Sequence, residues 1–106
     1  IRIKNKYICY ISLYGPQGQY QYPNIINLRV ANQNDIKEAN ATIAHEIIHL
    51  IIKQLIDKQK LDYEITEGLV DLFFKETNLK KLFPTYRIQS IGKINKDLFQ
   101  KILVFR

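Results

Sequence analysis

The chain has 106 residues, 46% of them hydrophobic and 25% charged, which suits a soluble globular protein with a single domain over residues 1–106 and one modest core. Its one cysteine, Cys9, excludes an internal disulfide and, with no histidine near it, argues against a nucleophilic role; a buried strand position is expected instead. The net charge of +6 invites a nucleic-acid reading, but Arg2, Lys4, Lys6, Lys58, Lys60, Lys80 and Lys81 are spread along the chain without a nucleic-acid motif, so no specific nucleic-acid partner is expected.

Residues 2–14 alternate, with Ile3, Tyr7, Cys9, Ile11 and Leu13 on one face and Arg2, Lys4 and Lys6 on the other. This is strand periodicity, with room for two strands broken near Asn5. The lysines interrupt any apolar run, so neither a secretory signal nor a membrane span is expected, and cytoplasmic residence is the default. The missing initiator methionine suggests a trimmed or processed N-terminus, and Ile1 need not be the encoded start. Gly15-Pro16-Gln17-Gly18 reads as a turn and Gln19 to Pro23 as a polar, aromatic connection. From Ile25 to Ala31 the alternation returns: Ile26, Leu28 and Val30 face inward, Asn27 and Arg29 outward.

Asp35, with Glu38 three residues on, has the form of a capping box opening a long helix that runs to about Lys58. Its apolar stripe comprises Ile36, Ala39, Ile43, Ile47, Ile51 and Leu55, widened by Ile48, Ile52 and Ile56, which predicts an almost wholly buried helix. Inside it stands His45-Glu46-Ile47-Ile48-His49, an H-E-x-x-H sequence. Residues four apart lie on one helical face, so two imidazoles here can share one zinc ion while the carboxylate between them reaches a water in the open position. The three-histidine continuation of metzincins is excluded, because neither the Gly nor the third His follows His49.

A turn at Gln59-Lys60-Leu61 leads to a second helix with Asp62 as N-cap and a packing face of Leu69, Leu72, Phe73 and Phe74. Glu67 on this helix can complete a His₂Glu site, and Asp71, one turn later, can accept a hydrogen bond from a zinc-bound imidazole. Glu64 is the rival ligand, but only Glu67 has an acidic residue four positions on. Leu79 to Phe83 suggests a short helix stopped by Pro84, and Asn95 caps a last helix from Lys96 to about Leu103.

On these residues, from about Asp35 to Phe74, the chain resembles the gluzincins, the thermolysin-type branch of the zinc peptidases. Their H-E-x-x-H helix is followed some twenty residues later by a glutamate helix with an acidic residue four positions after the ligand. Thr66-Glu67-Gly68-Leu69-Val70-Asp71 departs from their usual Asn-Glu-x-x-x-Asp only at its first residue. At this length it is most similar to the single-domain minigluzincins. The resemblance implies a zincin-like α+β fold, with a small N-terminal sheet of about three strands, an active-site helix, a glutamate helix and a C-terminal helix.

It further implies an endopeptidase with one Zn2+ per chain, held by His45, His49 and Glu67, and with Glu46 as general base for peptide or protein substrates. Asn27, Leu28 and Arg29 are the candidate strand for pairing with extended substrate. An oxyanion donor besides the metal is needed, for which Tyr63, Tyr86 and Arg87 are the candidates. The chain lacks room for the second subdomain of larger gluzincins, so modest or conditional activity is expected, and the resemblance to minigluzincins, which include latent forms, adds a latent form as one expectation: Val104, Phe105 and Arg106 end an apolar tail able to occupy the cleft or to drive self-association, or else to belong to a helix that completes the core. Two other readings stay open, a non-catalytic zinc-stabilised interaction module and a basic interaction domain whose motif is coincidental.

Overall fold

The computed structural model describes residues 6–84, 86 and 95–104. The architecture is α+β, as alternation followed by helical periodicity predicts. Strands β1 (Ile8–Ser12), β2 (Gly18–Gln21) and β3 (Ile25–Arg29) precede helices α1 (Gln33–Lys58), α2 (Tyr63–Glu76), α3 (Leu79–Leu82) and α4 (Lys96–Val104). The chain forms two compact units, one ending at Lys53 and the other starting at Gln54, so the boundary falls within α1. Among the described residues no helix is long and apolar enough to cross a membrane.

In the first unit the sheet has the order β1-β3-β2, with β3 parallel to β1 and antiparallel to β2. Among the described residues three strands are present, as expected, but one of them lies in the stretch read as a polar connection. Gln19-Tyr20-Gln21 pairs with Ile25-Ile26-Asn27, and Gly18, read as part of the turn, opposes Leu28. Polar residues at alternate positions satisfy an antiparallel edge as well as apolar ones do, because the ladder uses only backbone groups. Gly15, at φ +85, supplies the left-handed residue of the preceding bend.

On β3, Ile26 and Leu28 are buried, as the alternation requires. β1 corrects the expectation for the first strand: Cys9 is exposed rather than buried, and Ile11 and Leu13 are 70% and 62% exposed. As an edge strand β1 pairs only with β3 among the described residues, and sheet burial is concentrated on the central strand. The expected positions at Arg2, Ile3, Lys4 and Asn5 lie outside the described residues.

Entry into α1 also differs from expectation. Asn32 is the cap, its Oδ1 accepting the Asp35 backbone N–H at 2.8 Å, so the helix begins three residues earlier than a cap at Asp35 would place it. Asp35 is therefore inside the first turn and buried, where its carboxylate accepts from Arg29 Nε at 2.8 Å, Arg29 Nη2 at 3.0 Å and the Ala31 N–H at 3.0 Å. The Arg29 hydrogen bonds, followed by that from Ala31, hold this carboxyl below its ordinary value. Arg29 also donates through Nη1 to the Gly15 carbonyl, which ties β3, the bend and the helix start together.

Burial along α1 favours the widened side of the expected stripe, where Ile48 and Ile52 lie. Ile36 is 55% exposed, and Ala39, Ile43, Ile47, Ile51 and Leu55 are only half-buried, whereas Ile48, Leu50 and Ile52 are buried together with Glu46 and His49. With apolar residues nearly all round this stretch, periodicity alone could not choose the inner side. The helix closes as expected at Gln59 to Leu61: Lys60 takes φ 52, and the Leu61 N–H reaches the Ile56 carbonyl at 3.1 Å.

In the second unit, Asp62 caps α2, accepting the Ile65 N–H at 2.8 Å. Leu69, Val70, Leu72 and Phe74 are buried, while Phe73 meets Phe99 of α4 edge-on, with ring centroids 5.2 Å apart. Phe74 stacks on Tyr86 at 3.8 Å with the ring planes 1° apart. α3 precedes Pro84 as expected, and Asn95 caps α4 through its Oδ1 to the Leu98 N–H at 3.0 Å. Phe99 and Ile102 are buried, so α4 supplies core residues.

Candidate metal centre

One turn of α1 brings the two imidazoles together. His45 Nε2 and His49 Nε2 lie 3.2 Å apart, with the rings edge to face at a centroid separation of 4.8 Å. Two nitrogens, each about 2.05 Å from one tetrahedral zinc ion, would stand about 3.3 Å apart, so the observed separation fits a shared metal. His49 is buried and His45 half-buried. Glu46, between them in sequence, is buried as well.

Strand β2 lies against this turn. Tyr20 stacks on His49, with centroids 4.9 Å apart and planes within 13°. A Cβ placed on Gly18 would collide with Thr42 Cγ2 and stand 3.0 Å from Glu46 Oε2. Glycine is needed here for close approach and not for its backbone conformation, since Gly18 has no positive φ. Neither residue was picked out from the sequence. The available signal was the period-two spacing, which puts Gly18 and Tyr20 on the sheet face of Leu28 and Ile26.

On α2, Glu67 and Asp71 are buried, and Glu64 is exposed. One donor atom each from His45, His49 and Glu67 lies within 4.8 Å of the other two, close enough to hold a metal ion; Glu64 is not in this group. Two imidazole nitrogens and one carboxylate oxygen form a donor set that zinc accepts, with a fourth position left for water.

Asp71 accepts from the Tyr86 hydroxyl at 3.3 Å, beyond the usual range of about 2.5–3.0 Å for such a bond. This gives Tyr86 a different part from that of a free oxyanion donor, since its hydroxyl points to Asp71 while its ring is held on Phe74. Tyr63, the first residue of α2, is 66% exposed. Arg87 lies outside the described residues, as do Phe105, Arg106 and the side chain of Val104.

The role expected of Asn27, Leu28 and Arg29 is overturned by the sheet. β3 is the central strand, paired with β1 on one side and β2 on the other, which leaves it no edge for an extended substrate. No family model, curated protein or solved structure matches the chain.

Proposed function

We propose that the chain is a small zinc-dependent endopeptidase of the gluzincin type, similar to the minigluzincins, with His45, His49 and Glu67 as ligands and Glu46 as general base. The observation that carries this reading is the 3.2 Å spacing of the two histidine nitrogens, with a Glu67 donor atom within 4.8 Å of both. Zinc held by these residues would acidify a bound water and polarise a peptide carbonyl. Glu46, adjacent in sequence to a ligand and not itself one, takes the proton of the attacking water and passes it to the leaving amine. Burial of Glu46 and His49 keeps bulk water from competing for these positions. In this reading Asp71, one turn after Glu67 on α2, would accept a hydrogen bond from a zinc-bound imidazole and fix its tautomer. With β3 enclosed, the outer edge of β2 is the edge nearest His49 on which an extended peptide would pair.

One observation favours a second reading, a zinc-stabilised module without catalysis. Among the described candidates for an oxyanion donor, Tyr86 is engaged with Asp71 and Tyr63 is largely exposed. Metal content and casein cleavage, measured on chelator-free wild type and Glu46→Ala, separate the readings. The peptidase reading expects one zinc per chain in both proteins and cleavage by the wild type alone. Zinc without cleavage would favour the module, and no zinc uptake would overturn both.

A further inference from the structure

Zinc ligation demands that each imidazole present its nitrogen in a fixed plane, but the torsion that turns a histidine ring is broad and has no sharp rotamer wells. α1 fixes where the His49 side chain starts, not how its ring is turned. Besides the edge contact with His45, Tyr20 supplies such a restriction: its ring is stacked, near-parallel and offset, on the imidazole, 4.9 Å between centroids and 13° between planes. Rotation of the His49 ring would break this stack and drive the imidazole edge into the tyrosine face. The strand that carries Tyr20 can come this close because Gly18, two residues earlier on the same face, has no side chain to meet Thr42 and Glu46. Opposite Tyr20 on the ladder is buried Ile26 of the central strand, so the tyrosine is backed by the best-packed part of the sheet.

We infer that Tyr20 is a positioning residue for His49, its stacked ring setting the plane in which His49 presents Nε2 to the metal. This rests on the metal-centre reading given above. The inference assigns the effect to the ring, so Tyr20→Phe should preserve it, whereas Tyr20→Leu, or the strand-compatible Tyr20→Ile should the leucine variant not fold, should remove it.

The test is zinc affinity, by competition with a chromophoric chelator, together with the visible spectrum of the cobalt(II)-loaded proteins. The expected result is wild-type affinity and spectrum for Tyr20→Phe, and affinity weaker by about five- to tenfold with an altered spectrum for Tyr20→Leu or Tyr20→Ile. Equal affinity and identical spectra in all the variants would overturn this inference while leaving the metal centre standing. An equal loss in Tyr20→Phe would overturn it in favour of the hydroxyl. A wild type that takes up neither metal would overturn the metal centre and the inference with it.

Discussion

Arg29 grips both carboxylate oxygens of Asp35, Nε to Oδ2 at 2.8 Å and Nη2 to Oδ1 at 3.0 Å, and so fastens the central strand to the first turn of the histidine helix. Asp35 is held below its ordinary value of 3.8, chiefly by the Arg29 hydrogen bonds. A depressed carboxyl contributes stability that is present above its unfolded value and lost as pH falls through the folded one. The contribution of Asp35 is therefore complete at neutral pH and disappears below about 3.8. Arg29→Met should unfold in acid at a higher pH than the wild type, because the carboxyl then protonates earlier while buried. Coincident acid transitions, followed by circular dichroism, would refute this.

Gly18→Ala should destabilise the protein by about 1–3 kcal/mol, the usual range for overpacking. The added carbon meets Thr42 Cγ2, on the rigid helix, and Glu46 Oε2. Thr42→Ser deletes that methyl, so the double variant should recover part of the loss. Denaturant unfolding of the four proteins measures the coupling, and strict additivity would show that the close approach is not the cause.

Lys60 closes α1 in the left-handed region, at φ 52. A residue with a Cβ loses roughly 1–2 kcal/mol there, while glycine loses about 0.4–1 kcal/mol through its freer unfolded chain. The first effect is larger, so Lys60→Gly should stabilise by about 0.5–1 kcal/mol. The urea midpoint should rise with an unchanged slope; a fall would mean that the lysine side chain matters more than its backbone.

At the C-terminus, Ile102 is only 2% exposed and belongs to the core. Ile102→Ala should cost about 2–5 kcal/mol, and ending the chain after Gln100 should cost more, so a truncation there reports on folding. Ending it after Val104 keeps Ile102 and removes only Phe105 and Arg106. A rise in casein cleavage from that shorter cut, without loss of thermal stability, is the result expected if these last residues block the cleft; unchanged cleavage would dismiss Phe105 and Arg106 as the inhibitory part.

What could be read from the sequence was local. The Asp62 and Asn95 caps, the Gln59 to Leu61 turn and the one-turn spacing of His45 and His49 depend on residues within a few positions of one another, and each is present in the structure. What escaped depended on partners far along the chain. Gly18 to Gln21 forms a strand because β3 offers it a ladder, and Cys9 to Ser12 of β1 stay exposed, which no local pattern reveals. Asp35 lost the capping role to Asn32 because Arg29 claims its carboxylate. Of the candidate site, the H-E-x-x-H half was plain from spacing, whereas Tyr20 and Gly18 carried no chemical motif and needed the sheet to bring them to the helix.

The pairing of His45 with His49 has a bearing on the order of assembly. Their separation is set by the winding of a single helical turn, so no long loop has to close before the two nitrogens face each other. A nascent chain thus acquires a two-toothed claw as soon as that turn forms, on the submicrosecond timescale of helix growth, well before strands distant in sequence have found their register. An ion caught at that stage would staple the turn and favour further winding of α1.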